Sequence, residues 1–128
     1  MRLLWDTHVF ICVLEGNLGQ KYPSLFSAVN DQSATGAISV VSLWEIGIKS
    51  RLGKLRLRLA LEDLADFARE NGLSVLPVLE THAVATVSPI PFVRDPFDRL
   101  LLATAQCEGL RLVTADRALA DHPLAFKP

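Results

Sequence analysis

The stretch RLLWDTHVFICVLEG, residues 2–16, decides how the chain is to be read. Its first four residues form a short run that ends at an acid, Asp6, and has the length of a buried strand. Beyond Asp6, apolar residues fall at Val9, Phe10, Val13 and Leu14, the spacing of one helix face, and Gly16 offers a stop. A strand running straight into a helix is the first unit of an α/β chain, and the rest of the sequence repeats it. Pro23 suits the first turn of a helix reaching to about Gln32, TGAIS (35–39) predicts a second strand, and VVSLWEIGIKSRLG (40–53) a helix stopped by Gly53. LEDLADFARENG (61–72) carries a helical face of Leu61, Leu64, Phe67 and Ala68 with Gly72 placed as a C-cap, and LSVLPV (73–78) follows as a strand. THAVATVS (81–88) predicts a short helix ended by Pro89, and PFDRLLLATAQCEG (96–109) a longer one capped by Gly109. LRLVT (110–114) is then a fourth strand and ADRALAD (115–121) a last short helix. Strands separated by helices pair in parallel and are covered on both faces. The expected fold is therefore α/β, a three-layer α/β/α sandwich with a central, mostly parallel sheet, in one domain spanning 1–128.

Bulk properties narrow the function classes. Half of the 128 residues are hydrophobic and the mean hydropathy is +0.30, yet no apolar run approaches the roughly 18 residues that cross a bilayer. The excess is expected in the core and on a partner surface. Only three apolar residues separate Arg2 from Asp6, too few for a signal-peptide core, so a cytoplasmic protein is expected. Cys12 and Cys107 lie in apolar segments with no histidine at zinc-like spacing and are read as reduced core thiols. A formal net charge of −1 gives no global pull on nucleic acid, so any such binding must come from a local patch. Lys49, Arg51, Lys54, Arg56 and Arg58 form one. Their alternation with Leu55, Leu57 and Leu59 fits a solvated face over inward leucines as well as a phosphate-contacting rim, and both readings stay open.

The acids fall in equivalent topological places. Asp6 follows the first strand directly, Asp116 follows the LRLVT strand after one alanine, Glu45 sits early in the helix after the second strand, and Asp98 opens a later helix. Open α/β sheets bind ligands beyond the carboxyl ends of their strands, so all four can converge on one edge. Carboxylates gathered in one cleft repel unless a cation neutralises them, and an all-oxygen set selects hard Mg²⁺ or Mn²⁺ over Zn²⁺. Helix capping offers a plainer account. Asp6 suits an N-cap, Glu45 stands three residues after Ser42 as in a capping box although Val40 and Val41 read as already helical, and Pro96 at the first helical position makes Asp95 the N-cap and Asp98 the third helical residue. Capping accounts well for Asp95 but is silent on why Asp6, Glu45 and Asp116 share one topological placement.

At these residues the chain resembles a known family. LLWDTH, ISVVSLWEIGIK, RDPFDRLLLATA and LVTAD, in that order from Arg2 to about His122, are similar to the segments of PIN-domain ribonucleases, specifically the VapC toxins of bacterial toxin–antitoxin modules. The resemblance implies an endoribonuclease that uses Mg²⁺ or Mn²⁺ to hydrolyse phosphodiester bonds of single-stranded or loop RNA, leaving a 5′-phosphate and a 3′-hydroxyl. It implies Asp6, Glu45, Asp98 and Asp116 as catalytic metal ligands and Thr114 as a supporting hydroxyl, with a VapB-type antitoxin and a second copy of the chain as partners. Asp95 matches a position common in this subgroup that is not a family-wide ligand. None of the four acids is missing, while KLRLRLALEDL is more basic than expected where relatives often carry a proline.

Such a reaction needs no histidine base, because a carboxylate-held cation can both activate water and absorb charge. His82 and His122 lie away from the acid motifs, and His8, two residues past Asp6, is expected to point away from it. Arg99, next to Asp98, can pair with a site acid or meet a phosphate, and the former is expected. Two rivals remain. One is a noncatalytic protein-interaction module whose acids only cap helices. The other, a haloacid-dehalogenase-like phosphatase, needs a second aspartate where this chain has His8.

Overall fold

The computed structural model describes residues 1–128. Strand β1 (Arg2–Trp5) leads into helix α1 (Thr7–Glu15), and helices α2 (Leu18–Lys21) and α3 (Pro23–Val29) precede strand β2 (Thr35–Ser39). Helix α4 (Val40–Arg51) follows, then a 3-10 helix at Leu61–Asp63 that continues into α5 (Leu64–Glu70) and strand β3 (Leu73–Leu76). Helices α6 (Glu80–Val84) and α7 (Pro96–Glu108), strand β4 (Arg111–Val113) and helix α8 (Arg117–Ala120) complete the chain.

The four strands form one sheet in the order β3-β2-β1-β4, and every pairing is parallel. This is the expected three-layer sandwich. Central strand β1 shows why it forms: Leu3 and Trp5 enter one core cluster and Leu4 the other, so a strand buried on both faces reads as an unbroken apolar run. Phe10 of α1, Ile46 of α4 and Leu64 and Ala68 of α5 fill the first cluster. Leu101, Leu102 and Ala105 of α7 with Leu119 of α8 fill the second.

Several local expectations change. The helix begun at Pro23 ends at Val29, not near Gln32, and a short helix precedes it in a segment the sequence left unassigned. The THAVATVS helix begins one residue earlier, at Glu80, and ends at Val84 because Ala85 is already extended. Cys107 is exposed, so only Cys12 is a buried thiol. The leucine-and-base alternation of 54–59 is borne out in burial, with half-buried leucines and exposed bases, but the segment is irregular and not a strand. No helix is long and apolar enough to cross a membrane.

The strand order places the site. Chain order runs β1, β2, β3 toward one edge and then returns to the other side of β1 for β4, so the order reverses at β1. A crevice opens at the carboxyl ends of strands on either side of such a reversal. Asp6 and Asp116 follow those two strand ends.

Candidate active site

A cleft of about 360 Å³ lies there, lined by Asp6, Glu45, Asp95, Asp98 and Asp116 together with Thr7, His8, Ile11, Tyr22, Lys49 and Ala115. The structure thus brings all four acids singled out from the sequence to one place. A larger cavity of about 510 Å³ lies along α6 and α7, with His82 and Arg99 in its wall and no carboxylate. Polar chemistry is concentrated in the smaller one.

Each acid is set by its own element. Asp6 ends β1 in an extended conformation (φ −74°, ψ 167°), and its backbone N–H donates to Val113 O across to β4. Its carboxylate accepts from the Val9 N–H at 2.8 Å, so it is the N-cap of α1 as well as a wall of the cleft. Burial pushes its pKa up, against the lowering effect of the Thr114 hydroxyl and the Val9 N–H. Asp116 is likewise an N-cap, of α8, accepting from Ala118 N–H at 2.9 Å, and its own N–H donates to Thr114 Oγ1 at 3.1 Å. Thr114, buried just past β4, thus holds the backbone of the last acid and lowers the pKa of the first.

Glu45 caps nothing. Ser39 is the N-cap of α4, its hydroxyl accepting from Val41 N–H, so the capping box suggested by Ser42 and Glu45 does not exist. Instead Glu45 is buried one turn into the helix, held from two sides. Thr7 Oγ1 stands 2.7 Å from Glu45 Oε1 and 2.9 Å from Ser42 Oγ. With one proton to give, Thr7 donates to the carboxylate, the stronger acceptor. Lys49 Nζ lies 2.7 Å from Glu45 Oε2.

Asp98 is perturbed in the same direction as Asp6. The capping bond of α7 is made by Asp95, which accepts from Phe97 N–H at 2.8 Å, so Asp98 makes no capping bond and serves the helix start only as an acid in its first turn. Half-buried, its carboxyl is pushed from 3.8 up to about 7, first by desolvation and then by Asp95, Asp116, Asp6 and Glu45. Every other acid of the cleft raises it, which is the electrostatic signature of carboxylates crowded without enough positive charge. No three acids meet at a common coordinating point as they stand. The reason is visible in their bonds: Asp6 and Asp116 are turned to helix N–H groups, and Glu45 to Thr7 and Lys49.

Three side chains depart from expectation. His8 does not turn away but lines the cleft, and it lowers the Asp6 pKa. Asp6 is an N-cap outside the helical rotation, so counting two helical steps from it misplaces His8. Arg99 pairs with no site acid: its Nε donates to Val93 O at 2.9 Å and the side chain lines the neighbouring cavity. Lys49, grouped in sequence with the basic stretch, belongs to the cleft. Thr7 and Lys49 as holders of Glu45 escaped the sequence reading; the one available signal was Lys49 at i+4 from the acid. His82 and His122 do lie elsewhere, bonded to Glu108 and to Pro89 O respectively.

Comparison with known proteins agrees with this geometry. The PIN domain model matches residues 3–123. Ribonuclease VapC22 of Mycobacterium tuberculosis is 36% identical over 90 residues, covering 67% of this chain and 66% of that protein. Two solved structures share the fold. A toxin–antitoxin complex from Klebsiella pneumoniae superposes with a TM-score of 0.66 at 20% identity, over 98% of this chain and 96% of that one. VapBC2 from Rickettsia felis, bound to a DNA fragment from its promoter, gives a TM-score of 0.66 at 16% identity, again over 98% and 96%. With a matching domain model over nearly its whole length and the strand order and acid cleft described above, the chain belongs to the PIN-domain family.

Proposed function

We propose that this chain is a divalent-metal-dependent endoribonuclease and the toxin of a type II toxin–antitoxin pair. The observation that carries the reading is the convergence of Asp6, Glu45, Asp98 and Asp116, from four separate segments, on one cleft at the strand ends. The 36% identical relative bears the name ribonuclease, which fits. A cation suits these residues. The donors are oxygens, which favours Mg²⁺ or Mn²⁺. Asp98, raised to about 7 first by desolvation and then by its acidic neighbours, is relieved by added positive charge. The Lys49 ammonium already stands against Glu45 as a cation, and being half-exposed it can yield its place. Asp6, Glu45, Asp98 and Asp116 would hold the ion.

When bound, such an ion supplies an activated water and a Lewis acid for the phosphodiester oxygens. The chain's own residues prepare for it. The caps at Asp6 and Asp116 and the Thr7 hydroxyl at Glu45 each hold one oxygen of a carboxylate, leaving the second oxygen to turn to the ion. Lys49 neutralises part of the repulsion that a phosphate would otherwise meet. RNA cleavage by the purified chain should vanish with a chelator and return with Mg²⁺ or Mn²⁺; activity that survives chelation overturns the reading.

One observation favours the noncatalytic alternative: Asp6, Asp95 and Asp116 each do cap a helix, as a pure interaction module would have them. Capping leaves Glu45 and Asp98 without a role, and the chelation experiment separates the two. The partners we assign are a VapB-type antitoxin and a second copy of the chain, acting in the cytoplasm as a single domain. Support comes from exposed Trp44, Val84, Ile90 and Phe92, apolar area that a lone chain leaves in water. Sedimentation at micromolar concentration should give a dimer, and a strictly monomeric profile counts against it.

A further inference from the structure

Part of the acid cleft has no task in holding a cation. Beside the carboxylates it is lined by His8 and Tyr22. The two rings stand edge to face, with centroids 5.9 Å apart and planes at 79°, and the Tyr22 hydroxyl is 3.4 Å from His8 Nε2. Both rings are anchored. His8 is on the first turn of α1, with Nε2 also 3.7 Å from Cys12 Sγ. Tyr22 sits at the joint of α2 and α3, its N–H donating to Leu18 O at 2.7 Å, followed by Pro23, and its side chain packs against the margin of the first core cluster. Perpendicular rings fixed in this way make a corner in which a flat heterocycle can stack on one face and meet the edge of the other.

We propose that His8 and Tyr22 receive one nucleobase of a single-stranded RNA beside the phosphate that the acid cleft processes. This rests on the ribonuclease reading and states how that substrate is placed. A phosphate entering a cleft of five carboxylates is repelled by them, whereas base stacking is indifferent to that charge and tolerates any base, because every base has a π face. Stacking in a corner also requires an unpaired base, since a duplex keeps its bases stacked on one another and out of reach. His8 and Tyr22 are positioning residues, acting by where they hold the base.

The test measures binding apart from chemistry. A labelled single-stranded RNA oligonucleotide and a set of the same RNA with one abasic residue at each position in turn are mixed with the full chain in Mg²⁺, and stopped-flow anisotropy is read before cleavage advances. Tyr22→Leu should weaken binding of the intact RNA by about ten- to a hundredfold, with Tyr22→Phe within about twofold of the wild type. His8→Leu should lose affinity in the same direction. At one abasic position the wild type and Tyr22→Leu should bind equally, because the base that makes the difference is gone. Should Tyr22→Leu bind intact RNA as the wild type does, or lose the same factor on every abasic RNA, the corner is not a base site. A wild type that binds no RNA at all removes the ribonuclease reading itself, a result distinct from either. If Tyr22→Leu melts early, the exposed His8→Leu carries the test, read on the same abasic set.

Discussion

Asp98→Asn should raise the melting temperature of the metal-free chain at pH 8 while cutting metal-dependent RNA cleavage by about 100-fold or more. The loss of cleavage follows from removing a proposed metal ligand, since even partners outside the coordination shell are typically worth about 10–100-fold. The gain in stability follows from the electrostatics. The Asp98 carboxyl is pushed from 3.8 to about 7, by desolvation first and by four neighbouring acids after it. A carboxyl whose folded pKa lies above its unfolded value binds its proton more tightly in the folded chain, so its contribution is fully present below about pH 4 and drains as pH rises toward 7. Asn carries no charge and removes that drain. The opposing effect is loss of an acid in the first turn of α7, about 0.3–1 kcal/mol of helix-dipole attraction. Solvent takes back much of the penalty at a half-buried group, but a displacement of one pH unit is already about 1.4 kcal/mol, so desolvation and repulsion together outweigh the dipole attraction. The wild-type melting temperature should fall between pH 4 and 7 relative to the variant. Mg²⁺ should reverse the order, stabilising the wild type by about 2.7 kcal/mol at a hundred times its dissociation constant and the variant far less. Equal Mg²⁺ stabilisation of both proteins, with cleavage unchanged, would put the ion elsewhere.

The placement of Asp98 also shows what a sequence can carry. Pro96 after Asp95 is a local signal, because a residue that lacks an N–H fits only the first helical position, and it led to the correct N-cap. The strands were legible for different reasons: Leu3–Trp5 in RLLW is the unbroken apolar run that a strand buried on both sides needs, whereas TGAIS, with Thr35 and Ser39, and LRLVT, with the exposed Arg111, read as short segments between helical stretches. LGQK, at four residues, is shorter than two helical turns and has no periodicity to detect. Side-chain partnerships were the least legible, because they join residues far apart in the chain. Thr7 and Glu45 are 38 positions apart, and their hydrogen bond exists only because β1 and β2 are parallel neighbours that release α1 and α4 side by side. The turn of His8 into the cleft depends on where helical rotation begins, which the residue spacing alone does not give.

In the proposed site Asp6 would combine helix capping, the task of Asp95, with the metal binding proposed for Asp98, so a pair of substitutions at this position should separate the two. Asp6→Asn keeps an oxygen to accept the Val9 N–H, now bonded at 2.8 Å, and Asn caps a helix about as well as Asp. Its amide can donate to the Thr114 hydroxyl oxygen, whose proximity now lowers the Asp6 pKa. Burial holds the Asp6 pKa up, so the ionised carboxylate is a cost to the fold at neutral pH, a cost Asn does not carry. The expected result is a protein as stable as the wild type or more so, with cleavage reduced by about 100-fold or more as for Asp98→Asn. Asp6→Ala should lose the same cleavage and, in addition, about 1 kcal/mol of stability, since the Val9 N–H is then buried at the head of α1 with no acceptor. The two variants differ in capping and agree in having no charge. Urea unfolding therefore reads the cap, and cleavage in Mg²⁺ reads the metal ligand. If Asp6→Asn cleaves RNA like the wild type while Asp6→Ala is only less stable, Asp6 is a helix cap and nothing more; the cation would then have to be held by Glu45, Asp98 and Asp116 alone.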